Sequence, residues 1–156
     1  MEALKPILFL GCMLATAPAL AGPPACREST PAVESMEWAR LQAGDRQLRV
    51  RVAATERQRM AGMQRLCPGQ IARAPILFLL EEERRAAFHM QNVHAPLDIA
   101  FIAADGRVAA VDRMPVGGDA MAPVPVTAVL EAEAGAFARW GLRVGDRVDW
   151  SLEERP

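Results

Sequence analysis

The most informative segment of the chain is Phe88–Ile102, which reads FHMQNVHAPLDIAFI. It holds both histidines of the chain, together with a Met, an Asn and an Asp. Its apolar end, Leu97–Ala103, is followed by Asp105-Gly106 and then by a second strand-like run, Arg107–Arg113. Because glycine supplies the positive φ that a tight turn needs, this pattern predicts a β-hairpin.

Short runs on both sides of this hairpin also have strand character. Leu48, Val50 and Val52 alternate with Arg49, Arg51 and Ala53, and this period of two predicts a strand with one buried face. The strands predicted outside the hairpin are Met36–Gln42, Gln47–Ala53, Ile76–Leu80, Ala86–Gln91, Val126–Leu130 and Arg147–Leu152. Many short strands with few helical segments predict a mainly β domain, a sandwich or barrel with two short helices.

The first predicted helix follows Thr55. Gln58 lies three residues later, which is the spacing of a capping box, and the helix is expected to end near Gly62. Met60 and Met63 are both expected to point into the core, because a methionine pair at this spacing is typical of core packing.

The second predicted helix is Glu133–Trp140, which Gly141 ends. Clusters of proline, glycine or charged residues separate the predicted elements and are typical of loops and turns. The segments interpreted in this way are Gln64–Pro75, Glu81–Arg85 and Pro115–Pro125.

The first residues of the chain are typical of an export signal. Lys5 precedes an uncharged apolar run, Ile7–Leu20, and Ala19-Leu20-Ala21 has the small residues of a cleavage site. The predicted organisation is a signal peptide over residues 1–21, a flexible tail over 22–35 and a single β domain over 36–156. The mature protein would be periplasmic or secreted and free of the membrane; an uncleaved anchor is the alternative.

Cys26 and Cys67 are the two cysteines left after removal of the predicted signal. An exported compartment is oxidising, so these cysteines are expected to form a disulfide; two unpaired thiols are the alternative. The formal net charge of −1 gives no indication of nucleic-acid binding. The domain is expected to be a monomer.

Over roughly Leu48–Asp149 the chain resembles the family known as domain of unknown function 192 (DUF192). The family pattern W-M-K-N-T-x-x-P-L-D-I-x-F-I is matched by Met90, Asn92, Pro96, Leu97, Asp98, Ile99, Phe101 and Ile102. Later matches are Asp105-Gly106, Val108, Val129-Leu130-Glu131, Gly135, Gly141 and Gly145-Asp146-x-Val148. The resemblance implies a compact jelly-roll-like β fold and an extracytoplasmic location, but no reaction.

The chain also departs from this family pattern. His89, Gln91 and Val93 replace the family's Trp, Lys and Thr, and Gln58 replaces the Glu that precedes Arg59. The loss of these polar residues indicates a divergent member in which binding or structure is favoured over chemistry.

The candidate ligand-binding residues are Arg59, Met90, Asn92 and Asp98. Two interpretations are open for the roles of Asn92 and Asp98. They cap backbone amides, as these side chains often do, or they face a cleft and contact a ligand. The capping reading is favoured, and no catalytic residue is assigned.

The functional hypothesis is an exported, non-catalytic module that binds an unknown small molecule or protein and needs no cofactor. A first alternative is a hydrolase-type enzyme that uses Asp98 with His89 or His94 as acid and base. A second is a copper-binding protein that uses His89, Met90 and His94, since imidazole and thioether both suit copper. No third strong ligand accompanies the two histidines, so no metal site is assigned.

Overall fold

The computed structural model describes residues 25–43 and 45–154. The predicted signal peptide lies outside the described residues, and its cleavage stays a prediction. Within the described ranges, no helix has both the length and the apolar character that a membrane crossing requires.

The described residues form nine strands and four short helices, which confirms the mainly β prediction with two more helices than expected. The helices are α1 (Pro31–Glu34), α2 (Glu56–Ala61), α3 (Pro68–Arg73) and α4 (Ala136–Trp140). The strands are β1 (Glu37–Ala43), β2 (Arg46–Ala53), β3 (Ile76–Arg84), β4 (Ala87–His89), β5 (Leu97–Ile102), β6 (Val108–Met114), β7 (Asp119–Met121), β8 (Val126–Glu133) and β9 (Val148–Leu152).

Seven strands make one mixed sheet in the order β6-β5-β8-β3-β2-β1-β9, and β4 and β7 make a separate two-stranded ribbon. Only the β2–β3 pair of the large sheet is parallel. The edge strands β6 and β9 approach each other at one end, where Val148 N donates to the carbonyl oxygen of Gly106 at 2.8 Å. This contact stays an isolated bridge among the described residues, so the sheet curls without closing into a barrel.

The two faces of the curled sheet pack separate cores. The enclosed face carries Ala100 of β5 and Leu130 of β8, and α4 packs on it through Phe137. The outer face carries Ile99 of β5 and Val129 of β8, and it is covered by the helical segments near α1–α3 and by the β4–β7 ribbon. Successive strand residues therefore enter different cores, as the alternation of side chains along a strand requires.

The predicted hairpin and the first predicted helix are confirmed. Gly106 has a φ of 78°, and the carboxylate of Asp105 accepts a hydrogen bond from the Arg107 backbone N–H at 2.9 Å. In α2 the Thr55 hydroxyl accepts from Gln58 N at 3.3 Å, and the Gln58 side-chain oxygen accepts from Thr55 N at 3.0 Å. Residue spacing was sufficient to predict both features, because the turn and the helix cap each involve residues that are close in the chain.

The predicted disulfide is present: Cys26 and Cys67 are joined, with 4.7 Å between their Cα atoms. Beside it, Cys67 N donates to the carbonyl oxygen of Arg27 at 2.9 Å, and Arg27 N donates to that of Arg65 at 2.7 Å. The bridge thereby fixes the segment before α1 against the start of α3.

The described part of the predicted flexible tail has regular structure. Thr30 caps α1, because its hydroxyl accepts from Val33 N at 3.3 Å, and Ala32 and Val33 are buried. The expectation of a flexible tail is therefore wrong for this part. The Pro-rich composition concealed a helix, because proline is well accommodated in the first turn of a helix.

Two segments expected to be loops also contain regular structure. Pro68 begins α3 inside Gln64–Pro75, and Ile71 of that helix is fully buried. Inside Pro115–Pro125, the short strand β7 pairs with β4. Pro-Gly pairs indicate turns in isolation, but here long-range packing decides the local structure.

The charge run after the central strand is not a turn, because β3 continues to Arg84. Arg84 pairs with Val126 after a register shift, and the charged side chains from Glu81 to Arg84 stay exposed. The expectation for Met60 is also wrong: Met63 is 2% exposed, but Met60 is 69% exposed on the solvent side of α2.

Candidate functional site

A cleft of about 550 Å³ opens on the outer side of the fold, between α2, β3 and β4. Its walls come from the α2 segment, from the charged end of β3 and from the start of the two-stranded ribbon. The lining residues are Glu56, Arg59, Met60, Ala61, Gly62, Met63, Gln64, Phe78, Leu80, Glu81, Glu82, Arg84, Ala86, Ala87, Phe88, His89, Val93 and Glu131. A volume of this order is typical of small-molecule sites.

The floor of the cleft is apolar and partly aromatic. Phe78 and Phe88 meet edge to face, with 5.1 Å between ring centroids, and Phe88 makes a similar contact with Phe101 at 6.4 Å. Gly62 ends α2 against this floor: its φ is 46°, and a Cβ there would lie 3.3 Å from the Phe78 ring. The glycine therefore allows the end of α2 to lie close to the aromatic ring.

One carboxyl group lies in this apolar floor. Glu131 of β8 is 5% exposed and faces the cleft, and its cross-strand neighbours are Ile76 on β3 and Ile99 on β5. Within residues 25–43 and 45–154, its side chain makes no hydrogen bond or ion pair. Burial disfavours the charged form and raises the pKa of Glu131 to about 8.

Glu131 was not among the residues proposed from the sequence. A signal was available, because it is a single acid inside the apolar run Val126–Ala132 and part of the matched motif Val129-Leu130-Glu131. A perturbed acid in a cleft is a candidate functional group on physical grounds. Sequence alone did not show that this strand position faces a cleft rather than a packed layer.

Arg59 lies at the cleft, but both of its terminal guanidinium nitrogens bind other groups of the protein. One guanidinium nitrogen donates to the carbonyl oxygens of Ala54 at 2.6 Å and Leu79 at 3.1 Å, and another pairs with Glu81. These contacts tie the start of α2 to β3. Arg59 thus helps to shape one wall of the cleft, and its role in ligand binding stays a prediction.

Asp98 lies on the enclosed face of the sheet, in register with Ala132. Its carboxylate accepts from Gly135 N at 2.8 Å, from Phe137 N at 3.2 Å and from the Arg113 Nε at 2.9 Å. Asp98 therefore caps the first turn of α4, which is the arrangement of the capping reading. The structure does not bring it to the cleft or bond it to a histidine, so the proposed Asp–His pair is not formed.

Met90 and Asn92 lie beside the cleft and are not among its lining residues. Met90 is 2% exposed and packs in the outer core. Asn92 adopts a φ of 58°, its carbonyl oxygen accepts from Arg65 N at 2.7 Å, and its amide donates to the Gln64 side chain at 3.4 Å. Asparagine as a residue type is enriched at such left-handed backbone positions, because its short polar side chain can form local hydrogen bonds. A ligand contact by either residue stays a prediction.

The two histidines differ in their surroundings. His89 is exposed and lines the cleft, and its Nδ1 accepts from Gln91 N at 3.3 Å. His94 is partly buried, and its Nε2 has no hydrogen-bond partner among the described residues. No group of three or more His, Cys, Asp or Glu side chains suited to a metal occurs among the described residues. The described structure therefore places no further His, Cys, Asp or Glu ligand with His89 and His94, as the hypothesis of a copper-binding protein would need.

A family model described as DUF192, uncharacterized ACR, COG1430, matches residues 39–150. A crystal structure of a candidate transcription regulator from Sinorhizobium meliloti 1021 is 30% identical, with a TM-score of 0.63; the match covers 74% of this chain and 94% of that one. A protein of unknown function from Novosphingobium aromaticivorans is 28% identical, with a TM-score of 0.64; here 87% and 99% are covered. No curated protein matches the chain.

Proposed function

The chain belongs to the DUF192 family, and we propose that it is an exported, non-catalytic domain that binds a small molecule in the cleft above Glu131. The observation that carries this proposal is a buried carboxyl in an apolar floor without a partner in the described protein. An unpaired buried polar group is costly to keep, and a ligand that pairs with it recovers that cost.

Binding is favoured over catalysis by what surrounds the carboxyl. A mechanism that uses both an acid and a base needs two groups within hydrogen-bond reach of the reacting atoms of the substrate. Glu131 makes no side-chain hydrogen bond within the described chain, and His89 is exposed with its Nδ1 already accepting from the backbone. A single anchoring carboxyl in a cleft that aromatic rings also line suits recognition of one polar group on an otherwise apolar molecule.

Binding in the cleft can be tested by following backbone amide shifts of ¹⁵N-labelled protein against a library of small polar and aromatic compounds. We expect bound compounds to shift the amides of Gly62, Phe88 and Val93. Ala87→Trp would place a bulky side chain at the cleft and abolish these shifts. Val111→Trp, at a partly exposed position of β6, is the matched control and should keep them. A library without a cleft binder contradicts the proposal, and turnover of a bound compound would show an enzyme instead.

Export is supported by the sequence of residues 1–21 and by the Cys26–Cys67 disulfide, which suits an oxidising compartment. Expression of the full chain in a bacterium, followed by fractionation and intact-mass measurement, tests it. The expected product starts at Gly22 and has no free thiol after unfolding without reductant. An intact Met1, or labelling of both cysteines, would contradict export.

A further inference from the structure

We propose that the cleft binds a molecule that joins an apolar body to a protonated amine, with Glu131 as the partner of the amine. This inference rests on the binding function proposed above and names the class of its ligand. The body would lie against Phe78 and Phe88, and the amine would reach the carboxyl in the floor.

The carboxyl is placed to act as a single anchor. Ile76 and Ile99, its neighbours across the two strand pairs, are both fully buried and offer no hydrogen bond from their side chains. Val129, two residues along β8, is also buried on the same face. The part of the chain that the structure describes therefore leaves the carboxyl oxygens to the cleft.

The charges at the cleft favour a cation over an anion. The charged or titratable groups that line the cleft with Glu131 are Glu56 and Arg59 on α2, Glu81, Glu82 and Arg84 on β3, and His89 on β4. Arg59 binds two carbonyl oxygens and forms an ion pair with Glu81. The remaining charges are the positive charge of Arg84 and the negative charges of Glu56 and Glu82. The unpaired carboxylates of the cleft therefore outnumber its unpaired guanidinium group.

Binding of an amine should change the protonation of Glu131. Burial raises the pKa of Glu131 to about 8, so the carboxyl is largely protonated at pH 7 in the free protein. An ammonium group favours the carboxylate, so the carboxyl proton leaves to solvent while the ammonium keeps its own protons. We therefore expect release of about one proton for each amine bound.

Three probes with similar apolar bodies test the inference: phenethylamine, which is a cation, phenethyl alcohol, which is neutral, and hydrocinnamate, which is an anion. Their dissociation constants at pH 7 would be obtained from amide shift titrations. We expect the amine to bind at least about tenfold more tightly than the alcohol, since charge-assisted hydrogen bonds exceed neutral ones in strength. Calorimetry in buffers of different ionisation enthalpy would measure the released proton.

Glu131→Gln should remove the preference for the amine and the proton release, but leave the affinity of the alcohol nearly unchanged. Glu83→Gln, at an exposed position of β3 outside the cleft lining, is the matched control and should keep both effects. If Glu131→Gln does not fold, as judged by its amide spectrum, Glu131→Leu replaces it with the same expectation.

The possible outcomes separate the inference from the proposed function. Equal binding of amine and alcohol contradicts recognition of a protonated amine but leaves the cleft as a binding site. Tightest binding of hydrocinnamate overturns it in favour of an anionic ligand. Failure of all three probes overturns it too, and the binding function fails with it only if the wider library also contains no cleft binder.

Discussion

Two buried acids lie on adjacent strands and have opposite surroundings. Asp98 of β5 is 4% exposed and Glu131 of β8 is 5% exposed, and they occupy successive register positions, Asp98 opposite Ala132 and Glu131 opposite Ile99. Asp98 accepts three hydrogen bonds, whereas Glu131 makes none with its side chain in the described chain. Burial alone therefore does not distinguish the two acids; the acid without a partner is the one that calls for an explanation.

The two faces of the sheet explain this difference. On the enclosed face, the first turn of α4 presents backbone N–H groups to Asp98, because the first N–H groups of a helix have no partner within the helix. On the outer face, α2 and the β4–β7 ribbon leave a cleft over Glu131. One acid therefore stabilises the fold, and the other is available for a ligand.

The largest expected effect comes from Glu131→Gln. The pKa of Glu131 is about 8 in the folded state against an ordinary value of 4.5, so the folded protein binds more protons than the unfolded chain between these pH values. Wild-type stability should fall by about 1.4 kcal/mol per pH unit in this window through this group, roughly 4 kcal/mol between pH 5 and 8. The variant should match the wild type near pH 5 and exceed it by that amount above pH 8.

Urea unfolding of both proteins from pH 5 to 9 measures this difference, with Glu82→Gln as a control that should follow the wild type. If the curves of Glu131→Gln and wild type run parallel with pH, the two acids do not differ as proposed.

Asp98→Ala should give the next largest effect. It removes the acceptor for Gly135 N and Phe137 N, and leaving such buried donors unpaired should cost about 2 to 3 kcal/mol of unfolding free energy. Asp98→Asn should recover about half, because its amide oxygen can still accept. Chemical denaturation at pH 7 measures both. An Asp98→Ala variant as stable as the wild type would remove the capping role and restore Asp98 as a functional candidate.

A methionine pair tests how firmly the cleft side is packed. Met63→Ala should lower the free energy of unfolding by about 2 kcal/mol, because a buried side chain leaves a cavity. Met60→Ala should change it by less than about 0.5 kcal/mol, since that side chain is mostly exposed. Equal effects of the two substitutions in urea unfolding would show that the α2 wall is not packed as described.

The smallest expected effect is that of Arg113→Gln. The Arg113 side chain is 60% exposed, so its ion pair with Asp98 is screened by solvent and should contribute less than about 1 kcal/mol. The backbone donors of α4 remain in place in this variant. A loss as large as that of Asp98→Ala would mean that the arginine, rather than the helix terminus, holds the acid.

Much of the fold was predictable from local residue spacing. The β5–β6 hairpin follows from Asp105-Gly106, and the cap of α2 follows from Thr55 and Gln58, because both devices join residues close in the chain. Helix α3 and strand β7 were missed, because Pro68 and the Pro115–Pro125 segment have loop composition. Their structure depends on partners distant in sequence, which residue spacing does not contain.

Residue spacing alone was enough to indicate the family resemblance, the alternation along β2, the hairpin and the two cysteines available for a disulfide. It also identified Asp98 as an acid that caps or binds. Only the tertiary structure decided that Asp98 meets α4 and that Glu131 faces a cleft. The physical reason is that period-two alternation separates the two faces of one strand. Pairing register and the packing of distant elements determine which layer covers each face.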